Sequence, residues 1–438
     1  MKKSIYIVDY ESGDGKYYMM HTASGNIVAI DVTKKAQLQQ ILDDPNAQQE
    51  SVVCSKLTDS GFIVPESVNE YQIVTGKHLL RNFCKNNYLE LTIMPTEQCN
   101  FRCVYCYEDF VKPKMNEETI DSIIRYVEKN ISNHKGLVVS WFGGEPLLAM
   151  DVIEKLSKAF IRICRENRKI YSSSITTNAF LLNLDAFEKL RKWRINHFQI
   201  TIDGNKMTHD KQRVQVGGGG TFDQIIYNIK NICENGKSNL WTISLRTNVT
   251  NSTVQNIEQF KKEIVDSFND DPRVYIMLRK MWTNNTDDAN ALVCSEQDFE
   301  RFVSQCEISE TSLYQEYIFA HDMNFMCYAS NPNSYVIGSD GKVYKCTYAL
   351  YDDINQIGQL KTAGEMCLNE EKLSFWIAPR ATNKTECMDC ANYAACVSNG
   401  CPYRQNELCH GKTLDILKCY IPQFFKLAEN AEDLSAYL

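Results

Sequence analysis

The sequence predicts an α/β protein: a parallel sheet of six βα units forming a partial (β/α)6 TIM-type barrel, with a small domain before it and a cysteine-rich domain after it. Three observations predict this. Between about residues 88 and 290 the apolar pattern switches repeatedly between a strand period of two and a helical period of 3.6. Earlier, two short apolar runs flank Ala23-Ser24-Gly25 and are followed by two helical patterns. Later, nine of the 18 cysteines fall between Cys327 and Cys419, among short irregular segments. The expected domains are 1–84, 85–310 and 311–438.

In the first domain KYYMMHT and NIVAIDV read as a β-hairpin. KKAQLQQILDD and ESVVCSKLTDSGFIV follow as helices, the second with Val52, Val53 and Leu57 on one face and Gly61 as its stop. Hairpin, helix, helix and a short strand compose a winged-helix module. The barrel strands are YLELTIM, LVVSWF, IYSSSIT, HFQITID, WTISLRT and RVYIMLR. Between the first two lies NEETIDSIIRYVEKNI, a helix capped by Asn116, with Glu117 and Glu118 in its first turn and Ile120, Ile123, Ile124 and Val127 on one face. In such folds the loops at the carboxyl ends of the strands carry the chemistry. EQCNFRCVYCYEDF follows the first strand and Gly143-Gly144-Glu145-Pro146 the second, while Asn178, Asp203-Gly204 and Arg246 fall at or near the ends of the next three. The Gly217–Gly220 run lacks the Lys-Ser/Thr of a phosphate loop and reads as a surface turn.

A chain of 438 residues buries a core without disulfides, and its opening MKKSIYIVDYESGDG reads as no secretory signal, so the expected setting is a reducing cytoplasm. There, 18 cysteines imply metal chemistry. No apolar run approaches the ~20 residues that cross a bilayer, so no membrane is expected. A net charge of -8 without a basic stripe argues against nucleic acid.

Cys99, Cys103 and Cys106 stand as CxxxCxxC, three thiols without a fourth. A structural zinc site closes a tetrahedron. Thiolates also suit iron-sulfur cubanes, which take one thiolate per iron, so three on one loop leave one iron open. The motif, with Tyr105 before its last cysteine and placed after the first strand of six, resembles the radical S-adenosylmethionine (SAM) superfamily. The resemblance implies a 4Fe-4S cluster whose open iron holds the methionine moiety of SAM, and whose reduction yields a 5'-deoxyadenosyl radical. It further implies that Gly143, Gly144 and Glu145 hold the amino group, that Asn178 and Arg246 hold carboxylate and ribose, and that Tyr105 flanks the cofactor. Asp203 belongs to a segment shared by peptide-modifying members.

The remaining cysteines resemble the SPASM extension of radical enzymes that act on peptides, which implies two auxiliary 4Fe-4S clusters and three in all. The outer one would take Cys387, Cys390, Cys396 and Cys419, and the inner one Cys327, Cys346 and Cys401. Four residues separate Cys396 from Cys401 where the family has three, and no cysteine precedes Cys327 in HDMNFM. The inner cluster is therefore closed by His321 or Cys409, or left open to bind a substrate thiol. Zinc is the alternative for these cysteines. Cys54, Cys84, Cys164, Cys233, Cys294, Cys306 and Cys367 show no ligand spacing and read as ordinary thiols.

The whole resembles a maturase of ribosomally made peptides, in which the N-terminal hairpin edge takes the precursor's leader as an added strand and flavodoxin or ferredoxin supplies the electron. The expected product is a thioether crosslink, with a carbon-carbon crosslink as alternative. An anaerobic sulfatase maturase is a further alternative. Against it stand the 80-residue preface and Thr347, where those enzymes carry an acidic residue. A non-catalytic iron-sulfur sensor leaves GGEP and the six units unexplained.

Overall fold

A computed structural model of the chain describes residues 1–47, 49–80, 87–281, 292–321, 327–377, 388–395 and 416–438. The chain forms two compact units, each discontinuous in sequence: Met1–Lys85 with Glu300–Cys327 and Pro379–Leu438, and Asn86–Phe299 with Tyr328–Ala378.

The first unit begins with β1 (Lys2–Lys3), β2 (Ile7–Glu11), β3 (Lys16–His21), β4 (Ile27–Asp31), α1 (Lys35–Asp43), α2 (Val52–Asp59), β5 (Ile63–Val64) and α3 (Glu70–Leu80). The expected hairpin is β3–β4, with Met20 opposite Ile27. Gly25 turns it at φ +78°, a left-handed conformation that costs glycine little. Its edges are occupied on both sides. β2 pairs antiparallel with β3, and the strand Ala431–Asp433 pairs parallel with β4. On α2 the buried face is Val53, Cys54 and Leu57, whereas Val52 is 56% exposed. The cysteine thus replaces Val52 in the core, because the helix enters one residue further round than its apolar letters suggest. Gly61 ends this segment at φ +84° as expected.

The second unit holds β6 (Leu89–Ile93), β7 (Phe101–Cys103), α4 (Glu117–Asn130), β8 (Gly136–Trp141), α5 (Met150–Glu166), β9 (Ile170–Thr177), α6 (Leu184–Lys192), β10 (Ile195–Thr201), α7 (Lys206–Gln212), β11 (Arg213–Gln215), α8 (Phe222–Asn235), β12 (Thr242–Val249) and β13 (Val274–Lys280). The six expected strands are β6, β8, β9, β10, β12 and β13, all parallel, in the order β13-β12-β10-β9-β8-β6. β14 (Ser334–Ile337) then joins β6 in parallel, and β15 (Lys342–Tyr344), β16 (Gln356–Lys361) and β17 (Glu365–Leu368) extend the sheet antiparallel. Residues 334–368, expected in the cysteine-rich domain, therefore continue the barrel's sheet.

Alternation along the strands gives the sheet two unlike faces. Leu91, Val139, Ile175, Ile200 and Leu245 are at most 1% exposed. Their neighbours Thr92, Ser140, Ser174, Gln199 and Arg246 are polar and half-buried. α4 starts as predicted, with Thr119 N donating to Asn116 Oδ1 at 2.9 Å and with Ile120, Ile123 and Val127 buried.

Candidate active site

The carboxyl ends of the parallel strands surround a cavity of about 540 Å³, within the ~300–1,000 Å³ typical of small-molecule sites. Cys99, Cys103 and Cys106 line one side of it. Their loop is held by β7, which pairs antiparallel with β11 so that Cys103 faces Arg213. Phe101 N donates to Cys99 Sγ at 3.3 Å, and Cys106 N to Cys103 O at 3.0 Å. Burial pushes the Cys99 thiol up to about 12 and that of Cys106 up to about 11; it also raises Cys103, against the pull of Arg213. Buried thiols of this kind become thiolates only beside added positive charge, which a metal centre supplies. Among the described residues no three His, Cys, Asp or Glu side chains close on a point as a single ion requires. Three thiols on one loop beside a cavity fit a polynuclear centre, in which each iron has its own thiolate.

Gly143 and Gly144 form a rim of the cavity beside this loop, at φ +84° and +50°. A Cβ on Gly144 would lie 2.3 Å from Gln98 O, so glycine is what lets this rim pack onto the cysteine loop. Glu145 lies behind the rim and does not line the cavity. It is fully buried, with Oε1 accepting from Thr177 Oγ1 (2.7 Å) and Leu147 N (3.0 Å) and Oε2 from Asn178 N (2.7 Å). Asn178 does line the cavity, its Nδ2 donating to Asn100 Oδ1 at 2.7 Å. Arg246 lines it from β12, its Nε donating to Asn248 Oδ1 at 3.2 Å. Burial, then the nearby Arg279, lowers the Arg246 pKa.

Tyr105 lines the cavity and donates its hydroxyl hydrogen to the fully buried Asp203, which itself stands behind the wall. Asp203 Oδ1 also accepts from Asn248 N (3.0 Å) and Nδ2 (3.1 Å). Arg213 NH1 donates to Tyr105 Oη at 2.7 Å and lies 3.8 Å from Asp203 Oδ2. Burial pushes the Asp203 carboxyl up, while Arg213 and Tyr105 pull it down. Of the ten residues expected at the SAM cluster, eight line the cavity; Glu145 and Asp203 buttress it.

Sequence reasoning missed Arg213 and Glu108. Arg213 lines the cavity, and its buried Nε has no hydrogen-bond partner among the described residues. Only the β7–β11 pairing brings it to the cysteines, a contact with no local sequence signal. Glu108 accepts from Gly144 N at 2.7 Å; burial, then Glu97 and Glu145, raises its carboxyl to about 7.

The later cysteines divide between the units. Cys346 is buried in the second unit, where Asn355 Oδ1 accepts from its N–H (2.8 Å) and Asn355 Nδ2 donates to its carbonyl (2.7 Å). The next two residues, Thr347 and Tyr348, line the cavity. Cys327, Cys390 and Cys419 belong to the first unit, and burial pushes Cys419 up to about 12. His321, the last residue of the helix Glu310–His321, has Nδ1 2.6 Å from Tyr317 O and packs its ring against Gly25. Cys387, Cys396, Cys401 and Cys409 lie outside the described residues.

Residues 93–269 match the Radical SAM superfamily. The chain carries a radical SAM domain. It is 23% identical over 44% of its length to the radical SAM cyclopropyl synthase TigE of Paramaledivibacter caminithermalis, of which it spans 47%. It is 24% identical over 73% of its length to the cysteine-type anaerobic sulfatase-maturating enzyme of Clostridium novyi, of which it spans 88%. Solved structures of native anSMEcpe with bound AdoMet, and with AdoMet and the Cp18Cys peptide, superpose at TM-scores of 0.60 and 0.58. Each is 18% identical, over 78% of this chain and 99% of that one, a likeness of fold. Among the described residues no helix is long and apolar enough to cross a membrane.

Proposed function

We propose that the chain is a radical SAM enzyme that matures a ribosomally made peptide by an intrapeptide crosslink. The observation that carries this reading is one cavity lined by three thiols, a double-glycine rim, Asn178 and two arginines. Cys99, Cys103 and Cys106 would hold a 4Fe-4S cluster which, with SAM, supplies a 5'-deoxyadenosyl radical for hydrogen abstraction. Gly143 and Gly144 offer backbone to the methionine amino group, and Glu145 fixes that backbone through Thr177 and Asn178. Arg213 and Arg246 offer positive charge to the carboxylate and hydrogen bonds to the ribose, and Asp203 orients Tyr105 and Arg213. Cys387, Cys390, Cys396 and Cys419, and separately Cys327, Cys346 and Cys401, would hold two auxiliary clusters. The first unit captures the precursor through its leader, and flavodoxin or ferredoxin donates the electron.

The crosslink we assign is a thioether from a substrate cysteine. Its support is Cys346, an expected inner ligand whose next two residues form cavity wall. A second reading, formylglycine formation, draws on the likeness to the Clostridium novyi enzyme across most of both chains. Against it, Thr347 Oγ1 is 2.7 Å from Tyr328 Oη, a neutral pair where an acidic residue would be needed. Anaerobic reconstitution with iron and sulfide, followed by dithionite and SAM, should release 5'-deoxyadenosine; no release would end both readings. A cysteine-containing precursor from a neighbouring reading frame should lose its free thiol and become internally linked, whereas a carbonyl-reactive product would favour formylglycine.

A further inference from the structure

In the first unit the β4 edge already carries a strand. Ala431, Glu432 and Asp433 lie opposite Ile27, Val28 and Ala29, and Leu434 N continues the ladder to Ala29 O at 2.8 Å. Three lysines from separate elements converge on this segment. Lys16 of β3 reaches Asp433 at 2.7 Å and Ser435 Oγ at 3.1 Å; Lys34 donates to Ser435 O at 2.6 Å. Lys56 of α2 reaches Glu432 at 2.5 Å and stands 4.8 Å over the Tyr437 ring. Between them Leu434 is fully buried in a socket with Tyr17, Leu38, Leu42 and Leu57. A ladder edge, a basic rim in a chain of net charge -8 and one apolar socket together make a strand-addition site, with affinity from the main chain and selectivity from alternate side chains.

The ladder that holds this strand is shorter than the one on the other edge of the hairpin. β2 is tied to β3 by five paired positions, Ala431–Asp433 to β4 by three. Its two acidic side chains are 39% and 44% exposed, and ion pairs so placed in solvent hold weakly. We propose that the β4 edge is a docking site for an acidic peptide of the form Glu-Asp-Leu with an aromatic three residues after the leucine, and that residues 431–438 are its displaceable stand-in. The chemistry of the ligand is read from the groove; only its identity as a precursor leader rests on the peptide-maturase reading.

The probe is the synthetic peptide AEDLSAYL, added to the full chain and followed by amide hydrogen exchange, with AKKLSAYL as control. Excess AEDLSAYL should speed exchange at residues 431–434 while residues 27–31 stay protected. The double substitution Glu432→Lys with Asp433→Lys, on exposed positions, should loosen the stand-in and raise the peptide's apparent affinity about tenfold, as freeing an occupied site does. Lys16→Glu with Lys56→Glu should abolish binding. Continued protection of residues 431–434 at saturating peptide, in both the natural chain and the loosened variant, would overturn the proposal. So would equal binding of AKKLSAYL, or dimerisation of the loosened variant in place of peptide binding. None of these readouts requires iron or SAM, so their failure is distinct from failure of the radical reading.

Discussion

The two faces of the central sheet come from the same strands and do opposite work. On one, Leu91, Val139, Ile175, Ile200 and Leu245 are sealed from solvent. On the other, Ser140 and Ser174 pair through their hydroxyls at 3.2 Å, and Gln199, Thr201, Arg246 and Asn248 lead into the active-site cavity. A closed eight-stranded barrel fills its interior with layers of Val, Ile and Leu; here Thr92, Ser140, Ser174, Gln199 and Arg246 occupy inward positions of five of the parallel strands. Near the opposite ends of the strands it lines a second cavity of about 320 Å³, with Ser172, His197 and Thr242 in the wall. Stability and chemistry are thus separated by the strand period of two, so substitutions one residue apart should fail in different ways.

The largest effect belongs to the mouth of the polar face. Replacing Cys99, Cys103 and Cys106 together by Ala should abolish 5'-deoxyadenosine formation; residual cleavage of SAM would refute the assignment. On the sealed face, Phe198→Ala should cost about 3–5 kcal/mol, the usual range for a fully buried phenylalanine. A urea midpoint that does not move would show the site to be slack.

Glu108 comes next, and its effect depends on pH. Its carboxyl titrates near 7 in the folded chain against an ordinary 4.5, so between these values the unfolded chain gives up its proton first and stability falls as pH rises. A shift of this size is worth up to about 3 kcal/mol. Glu108→Gln should flatten the slope of stability between about pH 4.5 and about pH 7 in the metal-free chain. An unchanged slope would move that titration to another group. The smallest effect is expected at Ser174→Ala on the polar face, within about 0.5 kcal/mol by urea unfolding; a larger loss would show that the Ser140–Ser174 pair bears weight and would blur the division between the faces.

Much of this architecture could be read from the residues, because the signals were local. The six expected strands lie within or overlap the runs quoted from the sequence, since alternation at period two survives in each, and the three thiols and GGEP sit at strand ends. What could not be read depends on distant partners or lacks a period. β14, β15 and β17 are three or four residues long, too short to show alternation, and in β16 the two large apolar residues, Ile357 and Leu360, are three apart rather than two. Ala431–Asp433 contains no large apolar residue, and it is a strand through its ladder with β4, about 400 residues away in the sequence. Arg213 looks like a surface cation in HDKQRVQV until β11 is placed against β7.

That last pairing also sets an order of events. Cys103 and Arg213 lie about 110 residues apart, and the intervening stretch contains the β8, β9 and β10 units. A contact of such long sequence separation must first meet the entropic cost of closing the intervening loop. During synthesis the three thiols leave the ribosome well before the strand that pins their loop, so metal loading into a finished pocket must wait for β11.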